Sequence, residues 1–352
     1  MMTSCSKIKT LNIDIETYSD EDLGKVGVYK YVDSPAFKIL LFAYSVNEGE
    51  VKVVDIENGE KIPDEIMKAL VDEDIKKYAF NAQFERVCLN HFYGIESTNW
   101  TCTMIKAWYC GITGGLASVG NAIGLSDDKA KMQEGKRLIN KFSKPTKIKQ
   151  MNLLEDNDWK LFKEYNKRDV EVELAIKKKL DRFEIPDWEM ELYALDQKIN
   201  DRGIKLDVDM VLNAIKIDDE LTELATHKFK EITGFDNPNS IKDIRQFIKD
   251  KTGVEVKSLA KGVMDDLLHR FRGFPEIIEV LKIRQQLSKT STAKYYTMRD
   301  VIMTDGRSRG NIQHYGASRT GRWAGRLIQV HNLPRNYIKD LDTARNIIKY
   351  GD

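Results

Sequence analysis

The sequence predicts an α/β protein: a mixed sheet with flanking helices, then a mainly α-helical region, then a short end of loops and strands. Three observations predict it. "LNIDIETY" (11–18), "KILLFAYSV" (38–46) and "VKVVDI" (51–56) are β-rich runs, the last two joined by "NEGE" as a hairpin beside the first. Apolar residues recur at helical spacing from about residue 155 to 183 and again over 187–203, 208–234 and 276–303. From Asp305 the texture turns to Gly, Arg and Asn in "DGRSRGNIQHYGASRTGRWAGRLIQVHNLPRN", which reads as loops and short strands.

Between the hairpin and the long helix, "IPDEIMKALVD" reads as a helix with Pro near its start. "KKYAF" follows as a short strand, and "NAQFERVCLNHFYG" as a helix closing on Gly94. "GITGGLASVGNAIGLSDD" mixes loop and short helix. The helix through "DWKLFKEYNKRDVEVELAIKKKLDRF" stops before Pro186, which sets the expected boundary of the first domain. The expected divisions are 1–185, 186–304 and 305–352.

At 352 residues, two domains are the natural prior, and 41% hydrophobic with 32% charged residues excludes disorder and fibre. Lys and Arg (56) nearly cancel Asp and Glu (55), so the net charge of +1 names no partner. Its distribution does. From Asp305 to Lys349 there are nine Lys or Arg and three Asp, a basic stretch suited to a polyanion or to a solvated loop. Four cysteines form no CxxC pair, so neither a zinc site nor a disulfide framework is indicated, and a cytoplasmic protein is expected. The start "MMTSCSKIKT" has no apolar core of a leader and no run approaches 18 apolar residues, so no membrane partner is expected.

Asp14 and Glu16 interrupt an apolar run. Strand alternation puts Leu11, Ile13 and Ile15 on one face and Asn12, Asp14 and Glu16 on the other. On an open face the two acids would simply meet water. In a cleft, like charges about 7 Å apart need a counter-charge, and a divalent cation with oxygen ligands is the usual one. Two more acids stand where they could share such a cleft: Glu85 at the start of a helix, and Asp169 within the long helix, one turn after Tyr165. Each alone also fits a structural role, Glu85 at a helix N-terminus and Asp169 beside a lysine.

"DIET", "NAQFE" and "YNKRD", in this order, resemble the three motifs of the DEDD superfamily of 3′→5′ exonucleases. Asp14 and Glu16 match the first motif, Asn81, Phe84 and Glu85 the second, and Tyr165 and Asp169 the third. The family usually has Asp where this chain has Glu85. Its histidine branch would place His at 164, where this chain has Glu, while Tyr165 fills the slot of the tyrosine branch. The resemblance implies an RNase H-like exonuclease domain using two divalent cations, Mg²⁺ or Mn²⁺. Asp14 would bridge them, Glu16 and Asp169 would complete the first site, and Glu85 would support the second. Tyr165, with Glu16, would orient the attacking water, and Asn81 and Phe84 would touch the DNA.

"RTGRWAGRLIQVHNLPRN" resembles the segment of family-A DNA polymerases that precedes the first palm carboxylate, and "VLKIRQQLSKTSTAKY" is similar to their thumb helix. That resemblance implies contacts to primer–template DNA from Arg319, Thr320, Arg322, Arg326 and Asn332. Tyr315 and Trp323 among them could stack on bases or pack under the loop. The whole then looks like the amino-terminal part of a phage-like family-A polymerase: proofreading exonuclease, thumb and first edge of the palm. The palm carboxylates and nucleotide-binding lysine helix do not occur before Asp352, so no polymerisation is expected from this chain alone. The expected partners are a single-stranded DNA 3′ end and primer–template DNA, in a bacterial host or phage-infected cell. Two other readings compete: the DNA-binding half of a split polymerase completed by a second chain, and an RNA-directed DEDD exonuclease, against which the thumb-like and TGR segments argue.

Overall fold

A computed structural model describes residues 7–125, 129–145, 157–288, 292–333 and 337–351. The first elements are β1 (Thr10–Tyr18), α1 (Leu23–Val32), β2 (Lys38–Val46), β3 (Val51–Asp55), α2 (Asp64–Val71), β4 (Lys76–Ala79), α3 (Ala82–Tyr93) and β5 (Trp100–Cys102). The strands form one sheet in the order β3-β2-β1-β4-β5. β2 runs antiparallel to both β1 and β3, whereas β4 is parallel to β1 and β5 to β4. This mixed sheet with β1 at its centre is the RNase H-like arrangement that the motifs implied. The β2–β3 turn places Asn47 and Glu48 at positive φ, as a tight hairpin requires. Asn47 Oδ1 also accepts the backbone N–H of Lys9 and Thr10, at 2.7 and 3.1 Å, tying the turn to the start of β1.

The helices α4 (Thr103–Tyr109), α5 (Leu116–Ala122), α6 (Lys129–Phe142), α7 (Asn157–Leu180) and α8 (Asp187–Arg202) follow. Leu11, Ile13 and Ile15 of β1 join a core with Val26 of α1, Ile66 and Leu70 of α2, and Cys88 and Leu89 of α3. On the opposite face α7 crosses β1, β2 and β3. Its Trp159 and Phe162 pack with Leu40 and Leu41, and its Val170 and Leu174 with Ala43 and Val51. Trp159 Nε1 donates to Asp55 Oδ2 at 2.8 Å, so the largest buried side chain of the helix is also hydrogen-bonded. The polar residues of β1 therefore face a helix rather than water.

Next come β6 (Ile204–Lys205), α9 (Val208–Thr233), α10 (Ile241–Thr252), α11 (Met264–Arg270), α12 (Pro275–Leu287), α13 (Ala293–Val301), β7 (Arg307–Ser308), β8 (Ile312–Ala317), β9 (Arg322–Gly325) and α14 (Leu341–Tyr350). The chain divides into two compact units, residues 1–205 with 303–331 and residues 206–302 with 332–352. These divisions differ from the breaks expected at 185 and 304. Pro186 ends a helix without ending a unit, because α8 stays bonded to the later strands: Asn200 Nδ2 donates to the Ile312 carbonyl at 2.9 Å, and Asp196 Oδ1 accepts the His314 N–H at 2.7 Å.

The second unit is helical, as expected, around Phe229, Phe247, Ile248, Ile277 and Leu281. Its segment 276–303, read as one long helix, is two. α12 caps at Ser288 and α13 begins at Ala293. Residues 289–291 between them lie outside the described ones. The helix α14 was also not anticipated, although Asp340 capping the Thr343 N–H and Gly351 at positive φ mark its two ends. Among the described residues no helix is long and apolar enough to cross a membrane.

Candidate metal centre

Asp14 and Glu16 lie two residues apart on β1, and the register of β1 against β2 shifts immediately after Glu16. Such a bulge re-aims side chains at the end of a ladder. Asp169 projects from α7 onto the same face, and one carboxylate oxygen from each of the three acids lies within 4.8 Å of the others. Tyr165, one turn before Asp169, lies near enough for its hydroxyl to stabilise the charge on that carboxylate.

Glu85 sits in the first turn of α3, 3% exposed. It stands outside the close triplet but near enough for its charge to act on Glu16 and for Asp14 to act on it. Its Oε2 is buried without a hydrogen-bond partner. Asn81, the residue before α3, holds a left-handed backbone at φ 87° and is exposed. Phe84 is half-buried beside Tyr31, with ring centroids 6.3 Å apart.

Burial is the first cause that lifts Asp14, Glu16 and Glu85 well above the ordinary carboxylate range, and mutual repulsion adds to it. Asp169 is pushed up to about 7 by burial, with Tyr165 and Arg168 pulling the other way. Burial and the surrounding acids also drive the Tyr165 phenol upward. It is a neutral donor at physiological pH. A group of buried carboxylates in this state favours either protons or a cation, and the orphaned Glu85 Oε2 is one more oxygen available to a hard ion.

Behind the acids lies a second set of polar residues that motif reading did not find. Asn166 is fully buried and its Nδ2 donates to Asp14 Oδ2 at 2.6 Å. Asn12 Nδ2 donates to Glu173 Oε2 at 2.7 Å, and Thr103 Oγ1 donates to the other oxygen of Glu173. The signal was present in the spacing: Asn12 shares the strand face of Asp14, and Glu173 follows Asp169 by one helical turn.

The basic segment folds as the β8–β9 hairpin. Arg319 and Thr320 are exposed at its tip, and Arg322 is exposed at the start of β9. Gly321 has φ +66°, and a β-carbon there would meet the Tyr315 ring at 2.9 Å, so only glycine fits. Arg326 is engaged by the hairpin itself, donating to Gln313 Oε1 at 2.9 Å and to the carbonyls of Gly325 and Gly316. Tyr315 and Trp323 both pack on His314, with centroids 5.9 and 5.4 Å away. Asn332 is exposed and belongs to the other unit, while residues 334–336 just after it lie outside the described residues.

No protein-family model matches the chain. The DNA polymerase of Bacillus phage SP02 is 44% identical over 354 residues, covering 98% of this chain and 54% of that protein. The chain thus spans about half the length of this relative. Among solved structures, the POL domain of Pol1 from M. smegmatis, in complex with DNA primer-template and dNTP, aligns with a TM-score of 0.54 at 14% identity, over 97% of this chain and 54% of that one. Trypanosoma brucei RNase D in complex with GMP aligns over 49% of this chain and 51% of its own, at 17% identity and a TM-score of 0.36. In sequence over nearly its whole length, this chain is a relative of a phage DNA polymerase, as its motifs led us to expect.

Proposed function

We propose that this chain carries the 3′→5′ proofreading exonuclease of a phage-like family-A DNA polymerase and acts with two divalent cations, Mg²⁺ or Mn²⁺. The observation that supports it best is the approach of Asp14, Glu16 and Asp169 to within 4.8 Å on a face closed by α7. Asp14, Glu16 and Asp169 would hold one cation, and Asp14 with Glu85 the second. When bound, such a pair lowers the charge cost of attacking and leaving oxygens in phosphodiester hydrolysis.

The chain's own groups do the rest. Tyr165, held neutral, donates its hydroxyl proton in a hydrogen bond and so orients the attacking water together with Glu16. Asn166 fixes the rotamer of Asp14. Asn81 and Phe84, at the mouth of α3, would position the terminal nucleotide. In this reading residues 1–185 correspond in sequence to the exonuclease, 186–304 to a thumb-like region and 305–352 to the beginning of a palm, although α8 and residues 303–331 belong to the same compact unit as the sheet. Arg319, Thr320 and Arg322 on the exposed hairpin, with Asn332, would contact primer–template DNA, and Arg326 would brace the hairpin that presents them.

The deciding experiment incubates the purified chain with single-stranded DNA, labelled in separate samples at the 3′ or the 5′ end, in Mg²⁺, Mn²⁺ or chelator. Immediate release of 3′ label as mononucleotide, a 5′-labelled ladder that shortens stepwise, and silence in chelator are expected. Release from the 5′ end, or hydrolysis that persists in chelator, overturns the reading.

A further inference from the structure

Gly135 stands in the interior of α6, a position where glycine weakens a helix relative to alanine because it loses more backbone freedom on folding. It is buried, and α6 packs against α7. A β-carbon at Gly135 would lie 2.4 Å from Cε2 of Tyr165 and 2.9 Å from its Cδ2 and Cζ. The Tyr165 ring occupies the space that any other side chain would take.

The ring has little room to retreat. Phe162 lies parallel to it, planes 5° apart and centroids 6.4 Å apart, and Phe162 is itself wedged against Phe142 and Trp159. The helix is held as well, because Arg137 and Lys141 of α6 bond Asp158 of α7 at 2.7 and 2.6 Å. We infer that Gly135 is a positioning residue for Tyr165: the missing side chain forms a notch that sets the depth of the ring, and so the place of its hydroxyl over Asp14, Glu16 and Asp169. The kinetic consequence rests on the exonuclease reading; the notch does not.

The test is Gly135→Ala in the full chain, compared with Tyr165→Phe and with the double variant. Mn²⁺ affinity by titration calorimetry should stay within about twofold of wild type, since no acid is touched. On single-stranded DNA, kcat should fall by about tenfold or more with little change in KM, as expected for a misplaced orienting group. Added to Tyr165→Phe, where no hydroxyl remains to misplace, Gly135→Ala should cost no more than about twofold. Full activity of Gly135→Ala, or an equal fall in both backgrounds, overturns the inference. If Gly135→Ala melts too early for kinetics, adding Tyr165→Ala must recover the melting temperature, and failure to recover it overturns the clash. If the wild type hydrolyses nothing, the exonuclease reading fails while the notch is still decided: a crystal structure of Gly135→Ala must show the Tyr165 ring displaced, and an unmoved ring refutes it.

Discussion

The side-chain amide of Asn166 on α7 donates to Asp14 Oδ2 on β1 at 2.6 Å, and both residues belong to the same unit. Outer partners of this kind fix the orientation of a ligand and tune its affinity. Asn166→Ala should therefore weaken Mn²⁺ binding by about tenfold or more in a calorimetric titration. Asn166→Asp loses the same donor but adds a carboxylate, so it should lower the melting temperature in chelator, and Mn²⁺ should restore more of that loss than it does for Asn166→Ala. Unchanged Mn²⁺ affinity in Asn166→Ala would mean that Asp14 is held by its strand alone.

Asp14→Ala should abolish hydrolysis while leaving the fold intact, because in the proposed scheme the residue would help hold both cations and its loss would remove the stabilised transition state. Tyr165→Phe should be milder, since it takes away one hydroxyl and leaves every carboxylate. Initial rates with 3′-labelled DNA, together with far-ultraviolet circular dichroism, measure the difference. Equal loss in the two variants contradicts the two-cation scheme.

The buried acids also predict how stability varies with pH. Asp169 titrates near 3.8 when unfolded and at about 7 when folded, so between these values the folded chain binds the extra proton. Without divalent cations, stability should fall as pH rises through this window, and the raised Asp14, Glu16 and Glu85 should carry the fall to still higher pH. Asp169→Asn should flatten that fall and melt later than wild type at pH 8. Added Mg²⁺ should raise the melting temperature of wild type at pH 8 and leave the variant nearly unmoved. Thermal melts at pH 5 and 8, with and without Mg²⁺, give the comparison, and a wild type more stable at pH 8 than Asp169→Asn in chelator would refute it.

Arg322 is exposed on the hairpin, so its guanidinium is available to phosphate. Arg322→Ala should weaken binding of fluorescent primer–template and lower the slope of log affinity against log salt by about one unit. Single-strand hydrolysis should be little changed. Arg326→Ala should act differently, loosening the hairpin through its lost bonds to Gln313, Gly316 and Gly325, and so lowering stability as well as affinity.

Strand alternation was sufficient to put Asp14 and Glu16 on one face, because it is a local periodicity, whereas Asp169 was expected beside them only through the resemblance of the ordered motifs to the DEDD exonucleases. What β1 faces was not legible. Whether those acids met water or a cleft was settled by α7 crossing the sheet, a long-range packing event. Asn166 and Gly135 were missed for the same reason: an asparagine and a glycine are unremarkable in a helical string until a carboxylate or a ring arrives opposite. The helix break near Ser288 was outweighed by apolar periodicity, and the caps of α14, visible as residue chemistry, by basic loop-like texture. Pro186 was read as a domain edge because a helix ends there, while the buried amide of Asn200 that keeps α8 with the first unit has no local signature.

Trp159, bonded to Asp55, pins the start of α7 to the sheet, and Asp169 stands about 15 Å farther along the axis at 1.5 Å per residue. Helix α7 is therefore an indexing rod, its pinned end and its working end separated by whole residue steps. Inserting one residue between them would advance the far end by about 1.5 Å and turn it by about 100°, swinging Asp169 and Tyr165 together away from β1 while Trp159 kept its place. Length variation can be absorbed where the chain loops, but between these two points the count of residues is itself part of the site.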